Sequence, residues 1–221
     1  YVTIDEKYPE VTVKKESGCI GIDINANPFH LSLVETSSDG NLVSYCRIGL
    51  DEFINANSNK KTYLSWQVAY RVIELALNKG KAIAVENLQK LPKGKRGDGM
   101  TKLRRRFQQW TYKGILEKIE ILTKRNGIQL IKVNPAYTSV IGKLKYAPQY
   151  NIDKDIAGAF VIARRGSGFK EKLPKNYETL LTDEEYLLYA IAEYEEKVKT
   201  LKQKARKETN QWKKNAIKTR L

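Results

Sequence analysis

Three carboxylates stand in stretches where side chains are ordinarily apolar. Asp23 lies inside GCIGIDIN (Gly18 to Asn25), Glu86 closes KAIAVE (Lys81 to Glu86), and Asp155 opens the run DIAGAFVIA. Taking a carboxylate out of water is costly unless a cation or several donors compensate it, so an acid in such a run implies a partner. A hard divalent cation takes oxygen ligands and rarely sits on one acid alone, which makes Asp23, Glu86 and Asp155 the candidate metal ligands and catalytic residues. Two such ions about 3.5 to 4 Å apart cleave a phosphodiester by activating water on one side and stabilising the leaving oxygen on the other. Asp23 would bridge them, with Glu86 and Asp155 each holding one side. The competing reading of Asp23 is an Asx turn with Asn25 and Asn27 before Pro28.

Other residue types narrow the chemistry. A single histidine, His30, argues against a His-based metal centre or a Ser-His-Asp hydrolase. Cys19 and Cys46 fall in separate strand-like runs without the paired spacing of a zinc site, and read as buried reduced thiols. Carboxylates must therefore carry any catalysis.

The net charge of +15 is concentrated. Residues 89 to 126 hold 12 basic and 3 acidic side chains, and residues 197 to 221 hold 10 and 1. Such clustering favours a polyanionic partner, because cationic surfaces gain affinity by releasing counterions from phosphate backbones. Lys102, Arg104, Arg105 and Arg106 are the candidate phosphate contacts, and Trp110 and Tyr112 could stack on unpaired bases. No run approaches the roughly 18 apolar residues of a membrane span and no leader opens the chain, so the expected location is the cytoplasm.

The elements that must position these residues follow from periodicity. Residues 18 to 25, Phe29 to Thr36 and Leu42 to Ile48 read as strands, with Asp39-Gly40 as a hairpin turn. Apolar residues at helical spacing run from Trp66 to Ala76, and Gly80 ends that helix. Lys81 to Glu86 is a buried strand, residues 91 to 100 a Gly- and Lys-rich loop, and 101 to 125 a long helix with Phe107, Trp110, Ile115 and Ile119 on its inner face. A strand over Ile128 to Val133 follows. Pro135 to Tyr150 reads as irregular, and a helix starts near Asp155. Thr182 and Glu185 have capping-box spacing before a final basic helix. The expected division is an upstream end or linker (1–17), a nuclease domain (18–166), and a loop with a basic helix (167–221). Beginning at Tyr1, the chain reads as a piece of a longer polypeptide.

Three strands, then helix, strand, helix, strand and helix is the order of the RNase H-like α/β fold, a mixed sheet flanked by helices. Within that order GIDIN at Asp23, AVENL at Glu86, VNPAYTS from Val133 to Ser139 and DKDIAGA around Asp155 resemble the successive motifs of the TnpB transposon-associated nucleases, also called OrfB-type transposases. Their RuvC-like domain is shared with type V CRISPR effectors. The resemblance covers residues 18 to 166. It implies a RuvC-type endonuclease site with magnesium or manganese, DNA as substrate and a guide RNA as partner. Two departures stand out. The four-cysteine zinc insertion that usually follows the tyrosine-threonine-serine string is missing, since Val140 to Tyr150 contains no cysteine, so no zinc site is expected. The family also favours asparagine two residues after its last aspartate, where this chain has Ala157, which leaves Asp153 as an alternative to Asp155. Rival readings are a catalytically inactive nucleic-acid-binding module of the same fold and a Holliday-junction-type resolvase.

Overall fold

The computed structural model describes residues 7–26, 29–87 and 102–172, together with 199 and 203; the side chains of residue 26 and of 102–111 lie outside that description. The chain divides into two compact units, Tyr1–Leu173 and Pro174–Leu221. In the second, Lys199 and Gln203 are helical; the expected cap at Thr182 and Glu185 lies outside the described residues, as does the loop over 91 to 100.

The first unit is built on a meander of β1 (Cys19–Ala26), β2 (Phe29–Thr36) and β3 (Leu42–Gly49). Both pairings are antiparallel, with Asp23 opposite Ser32 and Asn25 opposite His30. Gly40 closes the second hairpin in a left-handed conformation (φ 72°). A Cβ there would also lie 2.5 Å from the Phe169 ring, so glycine is required on two counts. Every residue of β2 is buried, as befits a strand with neighbours on both sides, whereas β3 is an exposed edge strand. That placement corrects one expectation. Both cysteines are free thiols, but Cys46 on β3 is exposed, because among the described residues no element covers this edge strand; only Cys19 is buried.

Helix α1 (Ser58–Lys79) starts where the Asn57 side chain accepts from the Lys60 N–H at 2.9 Å, and ends at Gly80, whose N–H donates to the Ala76 and Leu77 carbonyls. Its buried face, Val68, Ala69, Val72, Ile73 and Ala76, follows the helical period. Two crossovers then add β4 (Ala82–Glu86) and, after α2 (Lys102–Arg125), β5 (Leu130–Val133), both parallel to β1. The sheet order is β3-β2-β1-β4-β5. Three meander strands extended by parallel strands on the β1 side is the RNase H-like arrangement expected from the element order.

Alternation along the strands divides the layers. Ile20, Ile22, Ile83 and Val85 pack with Val72, Ile73, Ile115 and Ile119 of α1 and α2. On the other face, Cys19, Ala82 and Ala84 pack under α5 (Lys154–Gly166). That face is small-residued for a reason: a Cβ on Gly21 would sit 2.2 Å from the Ala159 carbonyl oxygen, and one on Gly166 would sit 2.4 Å from the Ala84 methyl. Helix and sheet therefore approach almost backbone to backbone.

Two further expectations change. Residues 138–150 are helical rather than irregular: α3 (Thr138–Ile141) runs through a π-turn (Gly142–Tyr146) into α4 (Ala147–Tyr150). The wide turn shifts the apolar spacing, burying Ile141, Leu144, Tyr146 and Ala147, so no simple period marks the helix in the sequence. Contact with α5 holds it, since a Cβ on Gly142 would lie 2.7 Å from the Ala157 and Gly158 backbone. The weak alternation before residue 17 yields one parallel bridge, Val13 to Ile128, and a short 3-10 turn at Lys15–Ser17. Among the described residues no helix is long and apolar enough to cross a membrane.

Candidate active site

Register decides which strand acids can meet. Cys19 pairs with Ala82 and Gly21 with Ala84, in parallel, so Asp23 and Glu86 are the next side chains on the same face of neighbouring strands. That face is the one α5 covers. Asp155 lies in the first turn of α5, and Gly158, one turn further on, makes room for the Asp23 carboxylate: a Cβ on Gly158 would be 3.1 Å from Asp23 Oδ2.

Electrostatics follows from this convergence. Burial, then the neighbouring Glu86 and Asp155 carboxylates, push the Asp23 carboxyl up to about 8 from an ordinary 3.8, with the Ile24 backbone donor pulling weakly the other way. Burial also raises Glu86, opposed by the Thr138 hydroxyl and Arg165. Thr138 Oγ1 donates to Glu86 Oε1 at 2.5 Å. Tyr112 on α2 is held protonated by burial and by the same Glu86 and Asp23 charges. Among the described residues no group of three His, Cys, Asp or Glu side chains is drawn together closely enough to enclose an ion. Like-charged carboxylates repel one another.

Asp153 and Asp155 have different surroundings. Asp153 Oδ1 caps α5, accepting from the Asp155 N–H at 2.8 Å and the Ile156 N–H at 3.0 Å, and its other oxygen pairs with Arg47. Asp155 instead looks inward, with its Oδ2 3.8 Å from His30 Nε2. His30 contacts Ser32 Oγ at 3.1 Å, and Asn25 Nδ2 donates to that same oxygen at 3.1 Å. A polar chain thus leads from Asp155 back to β1.

The string VNPAYTS has a local structure that explains its residues. The Asn134 side chain accepts from the Ala136 N–H at 2.9 Å, forming an Asx turn at Pro135, and Tyr137 takes a left-handed conformation (φ 62°). That sharp reversal opens α3 on Thr138 and aims its hydroxyl at Glu86. Arg165 donates to the Asn134 carbonyl and ties α5 to the same turn. Residue-type reasoning did not single out Thr138, His30 or Arg165; only the first carried a signal, as part of that string. Of the expected nucleic-acid contacts, Lys102, Arg104, Arg105, Arg106 and Trp110 fall on the first turns of α2, and their side chains lie outside the described residues.

No protein-family model matches the chain, and no curated protein matches its sequence. Among solved structures it is similar to Thermus thermophilus RuvC, at 13% identity and a TM-score of 0.43, over 66% of this chain and 90% of that one. A second similar structure is T. thermophilus RuvC in complex with Holliday junction substrate, at 14% identity and a TM-score of 0.41, over 66% and 89%. The fold assignment rests on the strand order above.

Proposed function

We propose that the chain is a RuvC-like, metal-dependent DNA endonuclease domain in which Asp23, Glu86 and Asp155 hold magnesium or manganese. The observation that supports it most is the half-buried Asp23 carboxyl, which shares a sheet face with Glu86 and feels the charges of both Glu86 and Asp155. A fold gains nothing from such repulsion unless a cation relieves it. The donor set is all carboxylate, which fits a hard cation and not zinc.

The bound cation supplies an activated water and charge neutralisation at the leaving oxygen. The chain's own residues prepare for it. Thr138 fixes one oxygen of Glu86 and leaves Oε2 to accept a ligand. Gly158 keeps α5 from crowding Asp23. On the α2 side, Tyr112 stays neutral under the Glu86 and Asp23 charges. Asp23 must release its proton when the cation binds, so metal affinity rises with pH up to about 8.

The finer reading, a TnpB-like transposon-associated nuclease directed by a guide RNA, is supported by the four motifs and by the role VNPAYTS takes in orienting Glu86. The test is cleavage of single-stranded DNA by the purified chain with and without Mg²⁺, beside Asp23→Ala. Wild type should cut only with metal and the variant not at all, with DNA binding nearly intact. Cleavage that survives Asp23→Ala would overturn the assignment, and binding without any cleavage would favour the inactive module.

A further inference from the structure

We propose that the seam between Lys61–Tyr70 of α1 and Lys113–Lys118 of α2 binds single-stranded DNA, its phosphates on Lys61, Lys113 and Lys118 and its bases on Tyr63, Trp66 and Tyr70. This rests on the DNA-cleaving reading above and extends it to a surface outside the carboxylates.

The two helices meet closely at Gly114, where a Cβ would be 3.6 Å from Ser65 Oγ. Ser65 itself donates to the Lys61 carbonyl at 2.8 Å, so its hydroxyl is committed to its own helix. Around this crossing opens a cleft of about 190 Å³, lined among the described residues by the three lysines and by Glu117, which pairs with Lys113 at 3.8 Å. An anion fits that balance.

Aromatic side chains flank the lysines. Tyr63, Trp66 and Tyr70 follow one side of α1 at intervals of three and four residues. Tyr63 is 61% exposed and Tyr70 52%. Trp66 and Tyr70 stack at 6.0 Å with 30° between their planes, and Lys118 Nζ lies 5.6 Å over the Trp66 ring. Single exposed aromatics are ordinary, but three along one helix beside a basic cleft form a patch of the kind that stacks bases and neutralises a backbone together. A duplex keeps its base faces covered, so an unpaired strand is the better fit.

Topology connects this patch to the acids. Both helices cross over between parallel strands, so their N-terminal ends lie at the strand edge where Glu86 ends β4. Along α2, Tyr112 feels the Glu86 and Asp23 charges, and the next residue, Lys113, lines the cleft.

The experiment measures anisotropy of a labelled oligothymidylate of about 20 nucleotides, long enough for one such track, with a duplex of equal length and an oligouridylate as comparators. It is run across salt concentrations with the whole chain. Replacing Lys61, Lys113 and Lys118 by Gln should flatten the plot of log K against log salt by about 2, at about 0.7 per phosphate contact on a single strand. Tyr63→Ser with Tyr70→Ser should weaken the single strand about tenfold with the slope unchanged and the duplex unaffected. Both sets are surface changes, and circular dichroism confirms folding. An unchanged slope, equal losses on duplex and single strand, preferential binding of the oligouridylate, or a shift in oligomeric state upon the tyrosine changes would each overturn the proposal, the last by showing that a second copy covers the patch. Absence of metal-dependent cleavage with lysine-dependent binding retained would remove the nuclease reading alone, and cleavage with lysine-independent binding would remove the seam alone.

Discussion

Replacing Asp23 by Asn should stabilise the metal-free protein, and by more as pH rises. In the fold this carboxyl titrates at about 8, against 3.8 for an ordinary aspartate. A group whose folded value is raised contributes stability that is fully present below the unfolded value and lost as pH climbs toward the folded one. Each pH unit in that window is worth about 1.4 kcal/mol, so ionisation of Asp23 removes up to about 5 kcal/mol between pH 4 and 8. A carboxylate that turns toward water recovers part of this, and the expected gain for Asp23→Asn at pH 8 in EDTA is about 2–4 kcal/mol. At pH 5 the gain should fall below half of that. For a domain of this size the pH 8 difference corresponds to a rise in Tm of roughly 5 to 15 °C. Urea unfolding at both pH values, repeated with Mg²⁺, makes the measurement. The cation should stabilise wild type and close the gap, because Asn lacks the charge to hold it. An Asn variant that is no more stable at pH 8 without metal, or whose advantage is the same at pH 5, would refute the repulsive-acid account of the site.

Three further outcomes are expected. Thr138→Val removes the donor to Glu86 Oε1, so it should cost about 1 kcal/mol in urea unfolding and weaken the Mg²⁺ half-saturation of cleavage several-fold. Gly158→Ala, whose new methyl would sit 3.1 Å from Asp23 Oδ2, should reduce cleavage at nearly unchanged stability, whereas Gly142→Ala, 2.7 Å from α5 backbone, should lose about 1–3 kcal/mol by forcing the helices apart. Asp153→Ala and Asp155→Ala should separate cleanly: the first loses the α5 cap, about 1 kcal/mol in melting experiments, and keeps metal-dependent cleavage, while the second abolishes cleavage without that loss.

Much was legible in the chain itself, because local signals survive folding. β-branched runs, the Asp39-Gly40 turn, the helix ending at Gly80 and an acid in an apolar strand each report on their immediate neighbours. They sufficed for the order of elements, and hence for the RNase H-like topology. Other features depend on partners distant in sequence. That Asp23 and Glu86 share a face follows from the β1–β4 register, set across 62 intervening residues by the packing of Gly21 and Ala84 beneath α5. The helix over 138–150 is hidden by its π-turn and held by α5. Cys46 is exposed because β3 is the edge strand of the sheet, which no single strand reveals about itself. The contrast between Asp153 and Asp155 is the clearest case. Two aspartates stand two residues apart, and helix geometry makes one a cap and turns the other inward, where burial and like charge can act on Asp23.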